Sequence, residues 1–365
     1  MNGKIENMNR REFLKVGAGV ATFAAFPGLA KAVAKPPFHW AFLVHFGRKL
    51  WGDLPMTYKR DGKMFGQLND EEFAALQTPE WSNPDHVRFQ EDLWRELSAK
   101  LKADGCNMIV VDIAEFLKYP SHPEIAVKGS WESARLRAEV ERLTGMGFTV
   151  VPKLNFSTCH HAWLGIYSRM VSTPKYYEVC SDLIRDTLEV FRGTPYLHIG
   201  FDEEARVEYQ RQSTFVCARK GDLWWHDFNW FVRECEKHGV RCWAWADWAR
   251  GKDRDSADEV ARRLPKSVIL SPYSYTVDKP TNDHPHIKPM LELAAHGFDV
   301  FPGASNCYRV PESYPAIAAW AQANLPAEHH LGMLMAPWMP TAWPCKRLLL
   351  AASDLIAEAR RRTKA

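Results

Sequence analysis

A single (β/α)8 barrel is the fold class this 365-residue sequence predicts. Eight short apolar runs, rich in β-branched and aromatic residues, recur at roughly regular spacing with helical patterns between most of them. Several helical stretches end in a glycine directly before the next run: Gly105, Gly147, Gly239 and Gly297. Such a glycine supplies the left-handed cap that stops a helix, so its repetition implies βα units and a parallel sheet. Polar and aromatic residues also collect at the carboxyl ends of the runs, whereas the opposite ends are mostly apolar or glycine. A barrel builds its site at the carboxyl ends of its strands. An open doubly wound sheet gives no reason for polar residues at every strand end.

The runs, in order, are His39 to Gly47, Asn107 to Ile113, Thr149 to Phe156, Tyr196 to Glu203, Val240 to Asp247, Ser267 to Tyr275, the short Asp299 to Ser305, and Leu331 to Trp338. Their ends hold His45, then Asp112 and Glu115, Asn155, Asp202 and Glu203, Trp245 and Asp247, Tyr273 and Tyr275, Asn306 and Tyr308, and finally Trp338 and Trp343. Two insertions are expected to act as lids or subsite walls. One runs from Arg48 to Phe89 and carries Trp51, Tyr58 and Trp81; the other is the proline-bearing stretch from Leu117 to Ser130. No repeat, low-complexity tract or second-domain linker interrupts residues 33–365, so one catalytic barrel is expected there.

The first 32 residues read as an export signal. Asn9-Arg10-Arg11-Glu12-Phe13-Leu14-Lys15 fits the twin-arginine pattern, a moderately apolar run to Leu29 follows, and Ala30-Lys31-Ala32 is an A-x-A cleavage site. The run is too short and too rich in Gly and Ala for a good membrane span. The mature chain is therefore expected outside the cytoplasmic membrane, in the periplasm or beyond, with the twin-arginine translocase as a transient partner and no stable membrane anchor.

Composition narrows the function classes. With 46% hydrophobic and 25% charged residues the chain is globular. A net charge of +3 without a clustered basic stripe gives no case for nucleic acid. Fifteen tryptophans are many for this length. Sugars present apolar C–H faces to aromatic rings, so aromatics at strand ends favour a carbohydrate cleft, while Trp224 and Trp230 on a predicted helix belong to the core. Eight scattered cysteines form no C-x-x-C, are expected to be free buried thiols, and make a poor zinc site.

The fourth run carries most of the chemistry. Leu197 and Ile199 share one parity and His198, Gly200 and Asp202 the other, so a polar set faces one way. The run then ends in three acids, Asp202, Glu203 and Glu204. Buried unpaired charge is costly, so this end should open into a polar cleft. Adjacent carboxylates suit acid–base work when one stays ionised and its neighbour's pKa is raised; the plainer alternative is a solvated strand end or structural ion pair.

His198-Ile199-Gly200-Phe201-Asp202-Glu203 closely resembles the His-x-Gly-Gly-Asp-Glu signature of family 20 glycoside hydrolases, the β-N-acetylhexosaminidases, with Phe201 at the second glycine. The resemblance implies a motif closing the fourth strand of a (β/α)8 barrel, with Glu203 as general acid. It further implies that Asp202 holds a substrate 2-acetamido group, whose carbonyl attacks the anomeric carbon in place of an enzyme nucleophile. Asp247 after Trp245 resembles the family's fifth strand, Trp338 its aromatic floor on the eighth, and Tyr308 a seventh-strand tyrosine that steadies the acetamido carbonyl. His45, Asp112, Asn155, His160 and Tyr275 complete the expected substrate-binding set.

Two departures keep alternatives open. The third strand end reads Pro152-Lys153-Leu154-Asn155-Phe156-Ser157-Thr158-Cys159-His160-His161, which lacks the family's carboxylate, and Phe201 should narrow the space beside Asp202. Another glycosidase could pair Glu203 with Asp112, Glu115 or Asp247, and a barrel that binds carbohydrate without turnover is the remaining class. No cofactor or metal is expected. Adjacent His160 and His161 should point different ways, His284-Pro285-His286 reads as a surface loop, and the first strand lacks an H-x-H for a metal-dependent amidohydrolase. His198 is expected to make a barrel-interior hydrogen bond to Asp202 or a neighbour.

Overall fold

The computed structural model describes residues 38–47, 49, 52–54, 67–204, 213–215, 217–249, 256–308 and 310–363. The chain divides into a unit Met1–Pro36 and a unit Pro37–Ala365. The twin-arginine motif and the A-x-A site fall in the first and lie outside the described residues, as do Trp51 and Tyr58.

Among the described residues, nine strands form one parallel sheet: β1 (His39–His45), β2 (Met108–Asp112), β3 (Thr149–Lys153), β4 (Tyr196–His198), β5 (Arg241–Trp245), β6 (Ile269–Ser271), β7 (Asp299–Val300), β8 (Gly303–Ala304) and β9 (Gly332–Met335). Neighbours run in the order β7-β6-β5-β4-β3-β2-β1-β9-β8. The single seventh strand expected from sequence is two short ones, split at Phe301 and Pro302, and this split closes the barrel. Asp299 and Val300 pair with β6, while Gly303 and Ala304 pair with β9. The last run of the sequence is thus β9, and the eight expected runs close upon themselves.

Alternate residues of each strand sort into two apolar layers. Ala41, Leu43, Met108, Val110, Val151, Tyr196, Trp243, Trp245, Ile269, Phe301 and Leu334 fill the barrel interior. Phe42, Val44, Ile109, Val111, Val150, Leu197 and Ala244 face the surrounding helices. The two-residue period of a strand produces both layers. Gly105, Gly147, Gly239 and Gly297 all adopt positive φ, between 73° and 85°, as the helix-stopping role requires.

One helix matters most for the site. Asp222–Lys237 buries Trp224, Trp225, Phe228, Phe231, Val232 and Cys235, an apolar stripe at helical spacing, against the outer side of the barrel. Of the first insertion, the described residues include the helices Asp70–Leu76 and Pro79–Ser82, and Trp81 among them is buried in the core rather than lining a cleft. No disulfide joins any of the eight cysteines, and seven of them are buried. Among the described residues no helix is long and apolar enough to cross a membrane.

Candidate active site

The fourth strand ends sooner than its sequence pattern suggests. Extended pairing stops at His198, and Gly200, Phe201 and Glu203 take φ values of 73°, 67° and 60°. Only glycine fits at Gly200, because a Cβ there would lie 1.9 Å from Asn155 Oδ1. Phe201 and Glu203 are non-glycine residues in the left-handed region, a conformation that costs about 1–2 kcal/mol each and persists only where surrounding contacts impose it.

Those contacts are explicit. The Gly200 N–H donates to His198 Nδ1 at 3.1 Å, so the histidine bonds the turn backbone rather than Asp202. The Glu203 N–H donates to Asp247 Oδ2 at 3.3 Å, and the Cys159 thiol donates to the Glu203 carbonyl at 3.0 Å. Ser157 Oγ donates to the Asp202 carbonyl. Glu204, the third acid, is not a cleft group. It accepts from the Thr158 N–H at 3.0 Å and is gripped by Arg219 at 2.7 and 3.1 Å. Arg219 is fully buried, also bonds Asp227 at 2.9 Å and the Phe156 carbonyl at 2.8 Å, and lays its guanidinium 4.1 Å over the Phe201 ring.

The left-handed φ turns Phe201 away from the cleft. Its ring is buried against Trp224, Phe228 and Phe231, with centroids 4.9–5.5 Å away. The expected narrowing beside Asp202 therefore does not occur; the phenylalanine ties the turn to the helix Asp222–Lys237.

Asp202 and Glu203 then project into a small polar cluster. Asn155 Nδ2 donates to Asp202 Oδ1 at 3.1 Å, and Tyr273 Oη donates to Glu203 Oε1 at 3.4 Å. His160 Nε2 lies 3.5 Å from Asp202 Oδ2 and 3.4 Å from Glu203 Oε2. Asp202 is the deeper of the pair, with 7% of its side chain accessible against 14% for Glu203. Burial, with the Glu203 and Asp247 carboxylates beside it, pushes the Asp202 carboxyl up to about 6 against the pull of His160 and Lys153. The carboxyl expected to stay ionised is thus itself raised, yet it remains mostly charged at neutral pH. Burial lowers the pKa of His160, but Asp202 and Glu203 outweigh it and the net shift is upward. His161 points elsewhere, as adjacent residues should. Among the described residues neither of its ring nitrogens has a partner, and burial, with Arg219 and His160 nearby, takes it down to about 3.

Beneath this cluster, inward positions of β1 to β4 carry a buried polar layer. Lys153 and Asp112 form a fully buried ion pair, and His45 Nδ1 stands 3.4 Å from the same Asp112 oxygen. Burial alone would raise the Asp112 pKa, but Lys153 and His45 reverse it and hold the carboxylate charged. The lysine that replaces an expected acid on the third strand is therefore the counter-ion of the second strand's aspartate. Burial and Lys153 keep His198 neutral.

The opposite side of the mouth is aromatic. Tyr273 and Tyr275 stack at 4.8 Å, and Tyr275 and Tyr308 at 5.8 Å. Trp338 is half-buried and sits 5.6 Å from both His45 and Trp245 and 6.3 Å from Tyr275. Trp245 itself is fully buried under that wall.

No sequence-family model and no curated protein sequence matches the chain. Its structure, however, superimposes on several solved hexosaminidases. A β-N-acetylhexosaminidase from Bacteroides fragilis matches with a TM-score of 0.54 at 12% identity, over 87% of this chain and 66% of that one. An exo-β-N-acetylglucosaminidase from Vibrio harveyi, solved with N-acetylglucosamine, gives 0.55 at 15% identity over 75% and 52%. A chitobiase from Flavobacterium johnsoniae gives 0.50 at 18% identity over 76% and 48%. The fold is that of the family 20 glycoside hydrolases. The chain spans about half the length of the chitobiase and the Vibrio enzyme.

Within this barrel, Asn155, His160, Asp202, Glu203 and Asp247 come together in one cluster. His45 and Asp112 form the layer below, while Tyr275, Tyr308 and Trp338 line the aromatic side and Trp245 backs it. Glu115 is apart: its Oε1 accepts the Lys49 N–H at 2.8 Å. Trp343 is partly exposed, with the Lys346 ammonium 4.8 Å over its ring. The expected substrate-binding set left out Tyr273, although it shares the parity of Tyr275, and gave Lys153 no partner, although a lone lysine in an apolar strand asks for a buried counter-ion. Arg219 lies in irregular chain with no periodic signal, so nothing local marks it.

Proposed function

We propose that the protein is a glycoside hydrolase acting on 2-acetamido sugars. The observation that carries this reading is the Asp202–Glu203 pair, held on one rigid turn at the mouth of a family 20 barrel. Glu203, the more exposed of the two, donates a proton to the leaving glycosidic oxygen. Asp202, fastened by Asn155, holds the acetamido group so that its carbonyl closes on the anomeric carbon. An inverting acid–base pair needs carboxyls roughly 6.5–9.5 Å apart to admit a water. One oxygen of Asp202 lies within 4.8 Å of one oxygen of Glu203, closer than an inverting pair with a water between its carboxyls requires. Asp112 is a weak candidate nucleophile because Lys153 and full burial engage it. Asp247, against the Glu203 backbone, supports a two-carboxylate glycosidase as the second reading.

The test compares nitrophenyl N-acetylglucosaminide, N-acetylgalactosaminide, glucoside and galactoside. The N-acetyl substrates should dominate. Glu203→Gln should cost roughly 10²–10⁴ in rate on substrates with poor leaving groups and much less on the nitrophenyl ones. Asp202→Asn should impair both kinds alike. If Asp202→Asn is benign and Asp247→Asn abolishes turnover, the second reading replaces the first; if neither acid matters on any sugar, the enzyme reading fails. The proposed route outside the cytoplasmic membrane is twin-arginine export, and changing Arg10 and Arg11 together to lysine should leave the precursor in the cytoplasm, because lysine lacks the guanidinium fork.

A further inference from the structure

We infer that His160, Asp202 and Glu203 form a binding site for one divalent transition-metal ion of the zinc class, occupied when no sugar fills the cleft. The donor set is one imidazole nitrogen and two carboxylate oxygens, all mutually within 4.8 Å. Zinc binds such ligands at about 2.0–2.2 Å in a tetrahedron, whose edges are then about 3.4 Å. His160 Nε2 lies 3.5 Å from Asp202 Oδ2 and 3.4 Å from Glu203 Oε2. These separations are long for strong charge-assisted hydrogen bonds, which run about 2.7–2.9 Å. They equal two edges of the tetrahedron.

The outer contacts point the same way. Each carboxylate turns one oxygen toward His160 and has the other held by a neutral donor, Asn155 Nδ2 on Asp202 Oδ1 and Tyr273 Oη on Glu203 Oε1. Outer-shell hydrogen bonds of this kind orient the ligands of protein metal sites. With His160 neutral the three side chains carry two negative charges, and Asp247 adds a third behind Glu203. A divalent ion would relieve the repulsion that Asp202 feels from both neighbours. The accessible part of Glu203 marks the open side, where the fourth ligand would be water. Magnesium prefers an octahedral shell of oxygens, so an imidazole-bearing, three-point site selects against it.

Binding concerns the same side chains as the hydrolase reading but not its chemistry. That the ion silences hydrolysis, by occupying the acid and its partner together, does rest on that reading. The experiment is calorimetric titration of zinc chloride into the chelator-treated full chain at pH 7.5, with thermal melting alongside and magnesium chloride as control. One ion should bind per chain and raise the melting temperature, while magnesium does neither. His160→Gln and Asp202→Asn should each weaken binding at least tenfold, and Asn155→Ala roughly 10–100-fold. X-ray absorption of the zinc-loaded wild type keeps the test independent of how the variants fold: it should show only nitrogen and oxygen at about 2.0–2.1 Å. A sulfur shell at about 2.3 Å would place the ion on cysteine and overturn the inference. So would the absence of a 1:1 site, or unchanged affinity in folded His160→Gln. Zinc binding as expected by a protein that hydrolyses no glycoside would leave the site standing and remove the hydrolase reading; hydrolysis untouched by zinc would do the reverse.

Discussion

Arg219 should be the most damaging single side chain to remove outside the acid pair. Arg219→Met keeps a long apolar stem but strands Glu204 and Asp227, whose side chains are 7% and 0% accessible around it. Glu204 would retain the Thr158 N–H, and Asp227 the hydroxyls of Ser172 and Tyr177. Removing one partner of a buried ion pair costs about 3–5 kcal/mol, because the remaining charge is left uncompensated. Loss of the cation over Phe201 adds about 1 kcal/mol. At about 2 °C per kcal/mol for a chain of this size, the melting temperature should fall by about 8–12 °C at pH 7.5. The deficit should also depend on pH. Without the guanidinium, burial raises the Asp227 carboxyl, so the variant's native state binds a proton that its unfolded chain does not, and stability recovers as pH falls toward 5. Adding Glu204→Gln and Asp227→Asn to Arg219→Met should restore most of the loss at pH 7.5. Thermal melts of wild type, single and triple variants at pH 5 and 7.5 decide the matter. A loss below 1 kcal/mol, or an equal loss at both pH values without recovery in the triple variant, would refute the clamp.

The remaining expectations are more local. Because its carboxyl is raised from 3.8 to about 6, native Asp202 holds its proton more tightly than the unfolded chain. Wild-type stability should therefore decline between pH 4 and 6 by about 3 kcal/mol relative to Asp202→Asn, then run parallel above; parallel curves throughout would contradict the shift. Phe201→Gly relieves a left-handed φ worth about 1 kcal/mol but deletes a ring whose burial is worth about 3–5 kcal/mol, so denaturant unfolding should show a net loss. A more stable variant would mean that strain outweighs packing. Trp338→Ala should cost only about 1–2 kcal/mol, since the ring is partly exposed, while raising KM for sugar substrates. A large drop in melting temperature with unchanged KM would make it core.

Much of the architecture is written in local pattern. The strand runs, the glycines at 105, 147, 239 and 297, and the collection of polar residues at one end follow from two- and 3.6-residue periods and from backbone sterics, which act between neighbours in sequence. The acids at 202 and 203 were legible for the same reason: a strand ending in charge must open onto solvent. Closure through the split seventh strand was not, because β7 and β8 are each two residues long and owe their pairing to β6 and β9. Nor were the partnerships. Lys153 with Asp112 spans 41 residues, Trp245 with Trp338 spans 93, and Glu203 with Tyr273 spans 70. Phe201 shows the limit most clearly. Its sequence position suggested an obstruction in the cleft, yet packing against the helix Asp222–Lys237 and Arg219 turned the backbone left-handed and carried the ring to the opposite side. Local sequence sets which conformations are cheap. Which costly one is kept, and what stands within 4 Å of a carboxylate, depends on burial and counter-charge from segments that meet only when the barrel closes.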